Sequence, residues 1–257
     1  MDLCSCIGIL MEDLQGPFLL VGLWHLIVPH GAPPTWFLPL ASAWLVMLIL
    51  IVLGVLASRR LSLCPSPLQN ATEMALESIQ GLSLQIAGPA SSRFLPLFAT
   101  LFLFILCSNL MGLIPGFASP TTNININAAM AIVVIITSIY LGIRHKGLGG
   151  FLKHLCGPPY WLAPMFIIIR TLEIFTRPLS LTMRLFGNMM AKEIILGVLV
   201  YLLTLFFFSS GIMLKALAII PLVLRPAVIL LGVLVAFVQA LVFTALSMSY
   251  IGEALET

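Results

Sequence analysis

Three charged residues, Arg184, Lys192 and Glu193, lie inside one of the most apolar regions of the chain, within the segment MRLFGNMMAKE. The residues that follow, 194–214, contain no Asp, Glu, Lys or Arg, and neither do residues 154–169 before them. An arginine at the centre of a bilayer costs about 2.5–3.5 kcal/mol even on the more lenient insertion scale. Charges in such a place are candidates for binding or moving ions, and their neighbours decide which chemistry is open to them.

A polar stripe contains two of these residues. If the chain from about residue 160 forms one helix at 100° per residue, seven polar side chains fall within an arc of about 120°. They are Arg170, Glu173, Arg177, Ser180, Arg184, Asn188 and Lys192. Glu173 can pair with either neighbouring arginine, but it is one acid against four cations, and we expect no acid from another span. Since an unpaired cation away from water is unfavourable, the stripe is expected to face water, an anionic substrate or another subunit's carboxylate.

The last apolar stretch predicts a second, weaker polar face. It consists of Arg225, Gly232, Ala236, Gln239 and Ser247. The two small residues permit close approach of another helix. Gln239 can either hydrogen bond to a neighbouring helix or take part in transport, and the two roles are compatible.

The elements that carry these residues are predicted to cross a membrane. The chain has 257 residues, of which 61% are hydrophobic and 8% charged, whereas a soluble domain is about 25% charged. Because about 20 apolar residues suffice to cross a bilayer, the runs predict three spans and two longer, strongly tilted helices packed as a hairpin. These lie at 38–58, 94–114 and 126–143, and at 160–205 and 212–252. The prediction is an all-α polytopic membrane protein with about five transmembrane helices in one membrane domain (1–257).

Residues 66–88 predict a different kind of helix. Apolar side chains recur at helical spacing from Leu68 through Ile79 to Ile86, and Glu73 and Glu77 lie on the opposite face. This pattern is typical of an amphipathic helix on a membrane surface rather than of a span.

Basic residues next to the spans predict the orientation. Arg59 and Arg60 end the first span, Arg93 precedes the second, and the basic segment 144–153 follows the third. All three groups lie on one side, which the positive-inside rule makes the cytoplasm. The amphipathic helix and the C-terminus are then cytoplasmic, and the N-terminal segment 1–37 is extracytoplasmic.

Two motifs carry a resemblance to a known family. RPLSLTMRLFGNMMAKE, followed further along by FVQALVFTALSMSYI, resembles subunit a of the F-type ATP synthase in its bacterial form. NLMGLIPG, followed by SPTTNININ, is also similar to that family. The resemblance covers nearly the whole chain and implies a location in the bacterial plasma (inner) membrane.

The resemblance implies a function and a set of partners. Subunit a is the stator that provides two offset ion half-channels beside a rotating ring of c subunits. Arg184 matches the family's essential arginine, which interacts with ring carboxylates and prevents leakage. We expect the ring to contact the 170–192 and 225–247 faces, with peripheral-stalk b subunits, other ATP synthase subunits and lipid as further partners. The expected ion pathway comprises Glu193, Asn188, Gln239, Lys192, Glu173 and Ser180.

Two positions depart from the family pattern. Arg170 stands where the family often has an acid, so Glu173, one turn later, is the candidate for the cytoplasmic half-channel. Lys192 stands where the family commonly has a small residue, and Gly232 stands where the last helix often carries a titratable partner. A lysine with this glycine resembles some alkaliphile members. The hypothesis is that Lys192 discourages proton loss to an alkaline exterior, and the alternative is that it extends to the outer interface.

Other classes of function have less support in the residues. The GLGG segment at 147–150 lacks the Lys-Ser/Thr of a phosphate loop, so we expect no nucleotide site, and the chain is read as a non-catalytic channel subunit. We also expect no cofactor, metal or nucleic-acid partner. An ion-coupled secondary transporter with a midplane charged site is the alternative, but it predicts internal repeats and broken helices. A membrane enzyme would need clustered His, Asp or Glu ligands.

Overall fold

The structure, a computed structural model, describes residues 37–59, 67–114, 117, 119–156, 163–207 and 212–255. No strand occurs in these ranges, and short 3-10 turns lie at Pro89–Phe94 and Pro120–Thr122. The α-helices are α1 (Phe37–Ser58), α2 (Pro67–Ala87), α3 (Leu95–Met111), α4 (Ile124–Cys156), α5 (Ala163–Phe207), α6 (Ile212–Leu217) and α7 (Ile219–Leu255). The predicted N-terminal segment lies outside the described residues except for Phe37.

Five helical segments in these ranges are long and apolar enough to cross a membrane. They are Phe37–Ser58, Pro89–Met111, Ile124–His145, Ile167–Phe207 and Lys215–Leu255. A helix satisfies its own backbone hydrogen bonds, which is the requirement that a bilayer imposes on a spanning segment. The predicted class, an all-α polytopic membrane protein, is therefore confirmed.

The two longest helices exceed what a perpendicular span needs. Helix α5 has 45 residues, which at 1.5 Å per residue makes it about 67 Å long. The hydrocarbon core of a bilayer is only about 30 Å thick. The sequence predicted one helix at 212–252, but the structure has α6, a turn at Ala218, and then α7. Pro221 falls in the first turn of α7, where a missing backbone N–H is tolerated.

Helix α4 extends beyond the span predicted at 126–143 and includes the GLGG segment at 147–150. The helix runs through this segment with non-helical backbone angles at Gly147, whose φ is 70°. Glycine adopts a positive φ without a Cβ penalty, so the chain changes direction there and continues helical to Cys156.

The described chain divides into two compact units, and the long helices contribute to both. Unit 1 contains residues 37–49, 105–123 and 185–239, and unit 2 contains residues 50–104, 124–184 and 240–255. An apolar cluster lies at the core of unit 2. It consists of Ile79, Ala87, Phe98, Ala99, Leu141, Met248 and Ile251.

Helix α2 contributes to this core with a face rotated from the predicted one. Ile86 is 40% exposed, while Ser83 and Ala87 are buried. Small side chains allow closer contact here: a Cβ at Gly252 of α7 would lie 2.9 Å from the Cα of Ala87. The bulky side chain of Ile86 can remain outside this core because contact with lipid does not penalise an apolar group.

Candidate functional site

The polar stripe of α5 changes character along the helix. Ser180, Arg184 and Asn188 are exposed, whereas Lys192 is buried. Gly187 is exposed beside Asn188, and apart from its own stretch of helix no atom of the described residues lies within 4 Å of where its Cβ would be. This part of α5 therefore presents an open face of small and polar side chains.

Arg184 is the charged group on that open face. Its side chain makes no hydrogen bond or ion pair with another residue in the described part of the chain. Its guanidinium therefore has no counter-ion among the described residues.

The other two arginines of the stripe are paired in unit 2. Nη2 of Arg177 lies 2.7 Å from Oε1 of Glu173 and 2.7 Å from Oε2 of Glu253. Its guanidinium also lies 4.8 Å from the ring centre of Tyr250. Nη1 of Arg170 lies 3.7 Å from Oε1 of Glu253.

These pairs correct the sequence analysis, which expected no acid from another span. Glu253 on α7 supplies that acid. The sequence contained a signal for this acid. Tyr250 projects onto the same face as Gln239, and Glu253 lies within one helical turn of Tyr250. Glu253 was missed because it lies beyond the end predicted for the last helix, residue 252. Arg170 and Arg177 are therefore compensated within the chain.

Two amide side chains join α5 to α7 in unit 1. Nδ2 of Asn188 donates to Oε1 of Gln239 at 2.8 Å, and Gln239 is only 4% exposed. Both residues were predicted site residues, and the structure brings them together. The bond lies one helical turn after Arg184 along α5.

Lys192 lies in the interior of unit 1. The side chain is 7% exposed, and its Nζ donates to the backbone oxygen of Asn109 at 3.2 Å. A Cβ at Gly232 would lie 3.3 Å from Cδ of Lys192 and 2.7 Å from Cδ2 of Leu113. The lysine stem therefore occupies space that a larger residue at position 232 would need.

Asn109 belongs to the last turn of α3, where backbone carbonyls lack helical partners. The ammonium group thus satisfies one of these carbonyls and places a positive charge at the negative end of the helix.

A polar cluster surrounds this contact. The hydroxyl of Thr121 donates to Oδ1 of Asn109 at 2.7 Å, and that of Ser119 donates to the backbone oxygen of Ser108 at 2.9 Å. The backbone N–H of Ser119 donates to the carboxylate of Glu193. Lys192 and Glu193 are adjacent on α5. Lys192 binds Asn109 at the end of α3, and Glu193 binds Ser119 before the start of α4. The sequence motifs contained Asn109, Ser119 and Thr121, but only the folded structure shows that these residues belong to the cluster around Lys192 and Glu193.

The fold and these contacts define a class: a polytopic α-helical membrane protein with charged and amide side chains on its two longest spans. The family model described as ATP synthase A chain matches residues 40–252. A relative, ATP synthase subunit a 2 of Syntrophotalea carbinolica, is 44% identical over 232 residues, 90% of each chain. ATP synthase subunit a of Geobacter sp. (strain M21) is 41% identical over 241 residues, 93% of this chain and 97% of the relative.

The chain belongs to the ATP synthase subunit a family. The resemblance noted in its motifs is confirmed. It is a multi-pass membrane subunit of the membrane sector of the F-type ATP synthase, with a role in proton transport, and its partners are other ATP synthase subunits. This membership sets aside the alternative of a secondary transporter.

Proposed function

We propose that this chain is the stator that provides two offset ion half-channels beside a ring of c subunits, with Arg184 meeting the ring carboxylates in turn. The observation that carries the proposal is the exposed Arg184, which has no counter-ion in the described residues. A ring carboxylate would supply that counter-ion.

The expected effect of Arg184 follows from Coulomb's law. Two unit charges 4 Å apart attract by about 4 kcal/mol at an effective dielectric constant near 20. This is enough to favour an ionised carboxylate beside Arg184 over a protonated one. The ring carboxylate must therefore lose its proton to one half-channel before it passes and regain one from the other afterwards. The fixed positive charge also repels a cation that would cross directly.

Two neutral polar residues lie on the same face of α5 as Arg184. Ser180 and Asn188 are exposed on either side of it, and their hydrogen-bonding groups can stabilise water or a ring carboxylate. Gln239 holds Asn188 through the bond between α5 and α7. We place both exposed side chains at the ring contact, together with the face at 225–247.

Glu193 and Lys192 belong to the outer half-channel in this proposal. The buried cluster around them contains polar atoms without a hydrogen-bond partner in the described residues, namely Asn109 Nδ2 and Ser108 Oγ. Such atoms favour water over an apolar neighbour, which supports an aqueous path to Glu193. Lys192 places a fixed cation on this path, and we propose that it discourages proton loss to an alkaline exterior.

Glu173 is assigned to the cytoplasmic half-channel. Its side chain is exposed although it pairs with Arg177.

The basic residues Arg59, Arg93 and Arg144 are also exposed, and by the positive-inside rule they support a cytoplasmic C-terminus and an extracytoplasmic N-terminus. Peripheral-stalk b subunits are proposed as further partners.

The test is to replace Arg184 in the assembled complex. Arg184→Ala in membrane vesicles should abolish ATP-driven proton pumping, measured with a pH-sensitive dye. Arg93→Ala, which removes an exposed arginine from unit 2, is the matched control and should pump normally. Normal pumping by Arg184→Ala would overturn the proposal.

A crosslinking experiment tests the ring contact separately. A cysteine replacing Gly187 has open space around it and should crosslink to a cysteine in the c subunit. A cysteine replacing Met74, an exposed residue of α2, should not. Equal crosslinking from both positions would contradict the assignment of the face.

A further inference from the structure

Glu253 is the second acid beside Arg170 and Arg177, and with Glu173 it balances their two positive charges. Its carboxylate binds Arg177 at 2.7 Å and lies 3.7 Å from Arg170. Arg177 uses the same nitrogen for Glu173, also at 2.7 Å, and lies over the ring of Tyr250. Two arginines of α5 and two acids thus form one ionic network, with charge-assisted hydrogen bonds and a cation–π contact.

The position of Glu253 is unfavourable for α7 by itself. Helix α7 ends at Leu255, and Glu253 lies in its last turn, which contains no basic residue. Backbone carbonyls make that end negative, so a carboxylate there is destabilising unless a cation from elsewhere approaches it. The cations come from α5. Glu253 therefore stabilises the protein through its contacts with another helix and not through α7 itself.

The turn that carries Glu253 is held from several sides. The hydroxyl of Ser138 on α4 donates to the backbone oxygen of Tyr250 at 2.8 Å. Ile251 is fully buried, and Gly252 packs directly on Ala87 of α2. Because the three residues that precede it are constrained, Glu253 can fix Arg177 rather than follow its motion.

We propose that Glu253 is a positioning residue that acts on Arg184 through Arg177. Arg177 precedes Arg184 by two helical turns on the same stripe. With Glu253 in place, Arg177 is neutralised and held against α7, so Arg184 alone faces an external carboxylate. Without it, Arg177 would keep Glu173 only and would compete for that carboxylate. The inference rests on the proposed function of Arg184.

The experiment uses inverted membrane vesicles that contain the complete ATP synthase. The readout is ATP-driven proton pumping divided by ATP hydrolysis. Glu253→Gln should lower this ratio by about fivefold, within the range of measured pair couplings. Glu253→Asp keeps the charge and should restore most of the ratio. Glu77→Gln removes an exposed acid of α2 and should leave the ratio unchanged.

A double variant distinguishes positioning from general damage. Without Glu253 the network holds two arginines against Glu173 alone. If Glu253 acts through Arg177, then Arg177→Gln combined with Glu253→Gln removes the surplus positive charge and should return the ratio to within about twofold of the parent. If Glu253→Gln fails to assemble, the double variant should restore assembly, measured as subunit a retained in the purified complex.

Three results would overturn the inference: an unchanged ratio in Glu253→Gln, losses that multiply in the double variant, or assembly that fails in both. These results are separable from failure of the proposed function. Normal pumping by Arg184→Ala overturns that function, whereas normal pumping by Glu253→Gln beside an inactive Arg184→Ala overturns this inference alone.

Discussion

The hydrogen bond between Asn188 and Gln239 predicts an asymmetric response to mutation. Gln239 is buried and Asn188 is exposed, so the two single variants leave different groups without a partner. Asn188→Ala leaves the buried Oε1 of Gln239 unpaired. Gln239→Leu leaves Asn188 at the surface, where other hydrogen-bonding groups can reach it.

The magnitude follows from this difference. An unsatisfied buried acceptor costs about 1–3 kcal/mol, and interhelical hydrogen bonds in a membrane protein average about 0.6 and reach about 1.7 kcal/mol. We expect Asn188→Ala to cost about 1–2 kcal/mol and Gln239→Leu less than about 1 kcal/mol. The double variant should resemble Gln239→Leu alone, because no buried acceptor remains.

The assay is thermal release of subunit a from the purified complex in detergent, followed on native gels at one heating rate because the process is irreversible. A loss of 1 kcal/mol shifts the midpoint by about 2–4 °C for a chain of this size. Gln80→Leu, on the exposed face of α2, is the amide control and should shift it by less than about 1 °C. A larger loss from Gln239→Leu than from Asn188→Ala, or strictly additive losses, would refute the reasoning.

Two further predictions concern close packing and charge. Gly252→Ala should cost about 1–3 kcal/mol because its Cβ would meet the Ala87 backbone, whereas Gly81→Ala, in open space, should gain about 0.5–1 kcal/mol; equal midpoint shifts in the same release assay would contradict this. Lys192→Gly should leave ATP synthesis near neutral pH intact and weaken it at high external pH. Lys192→Met keeps the apolar stem but loses the ammonium group and its contacts with Asn109 and Met189. It should behave alike, and unchanged high-pH synthesis in both would exclude the charge effect.

Much of the fold was predictable because the bilayer imposes simple requirements. Apolar runs of sufficient length must be helical to satisfy their backbone, and this class of fold is confirmed. Details that depend on tertiary contacts were not predictable. The inward face of α2 is set by small residues that let α7 approach at Ala87, and the break at Ala218 depends on how the chain enters α7.

The sequence by itself indicated the family, the all-α membrane class and the stripe on α5. Helical spacing places Arg184 and Asn188 on one face before any packing occurs. Only the tertiary structure decided which cations have partners. Glu253 comes from the distant end of α7 to neutralise Arg177, and Asn109 receives the ammonium of Lys192 inside unit 1. The physical reason is that charge compensation depends on distances of a few ångströms between helices far apart in sequence. Charge counting along one helix therefore overstated the surplus, and the folded chain leaves Arg184 as the exposed cation of the stripe.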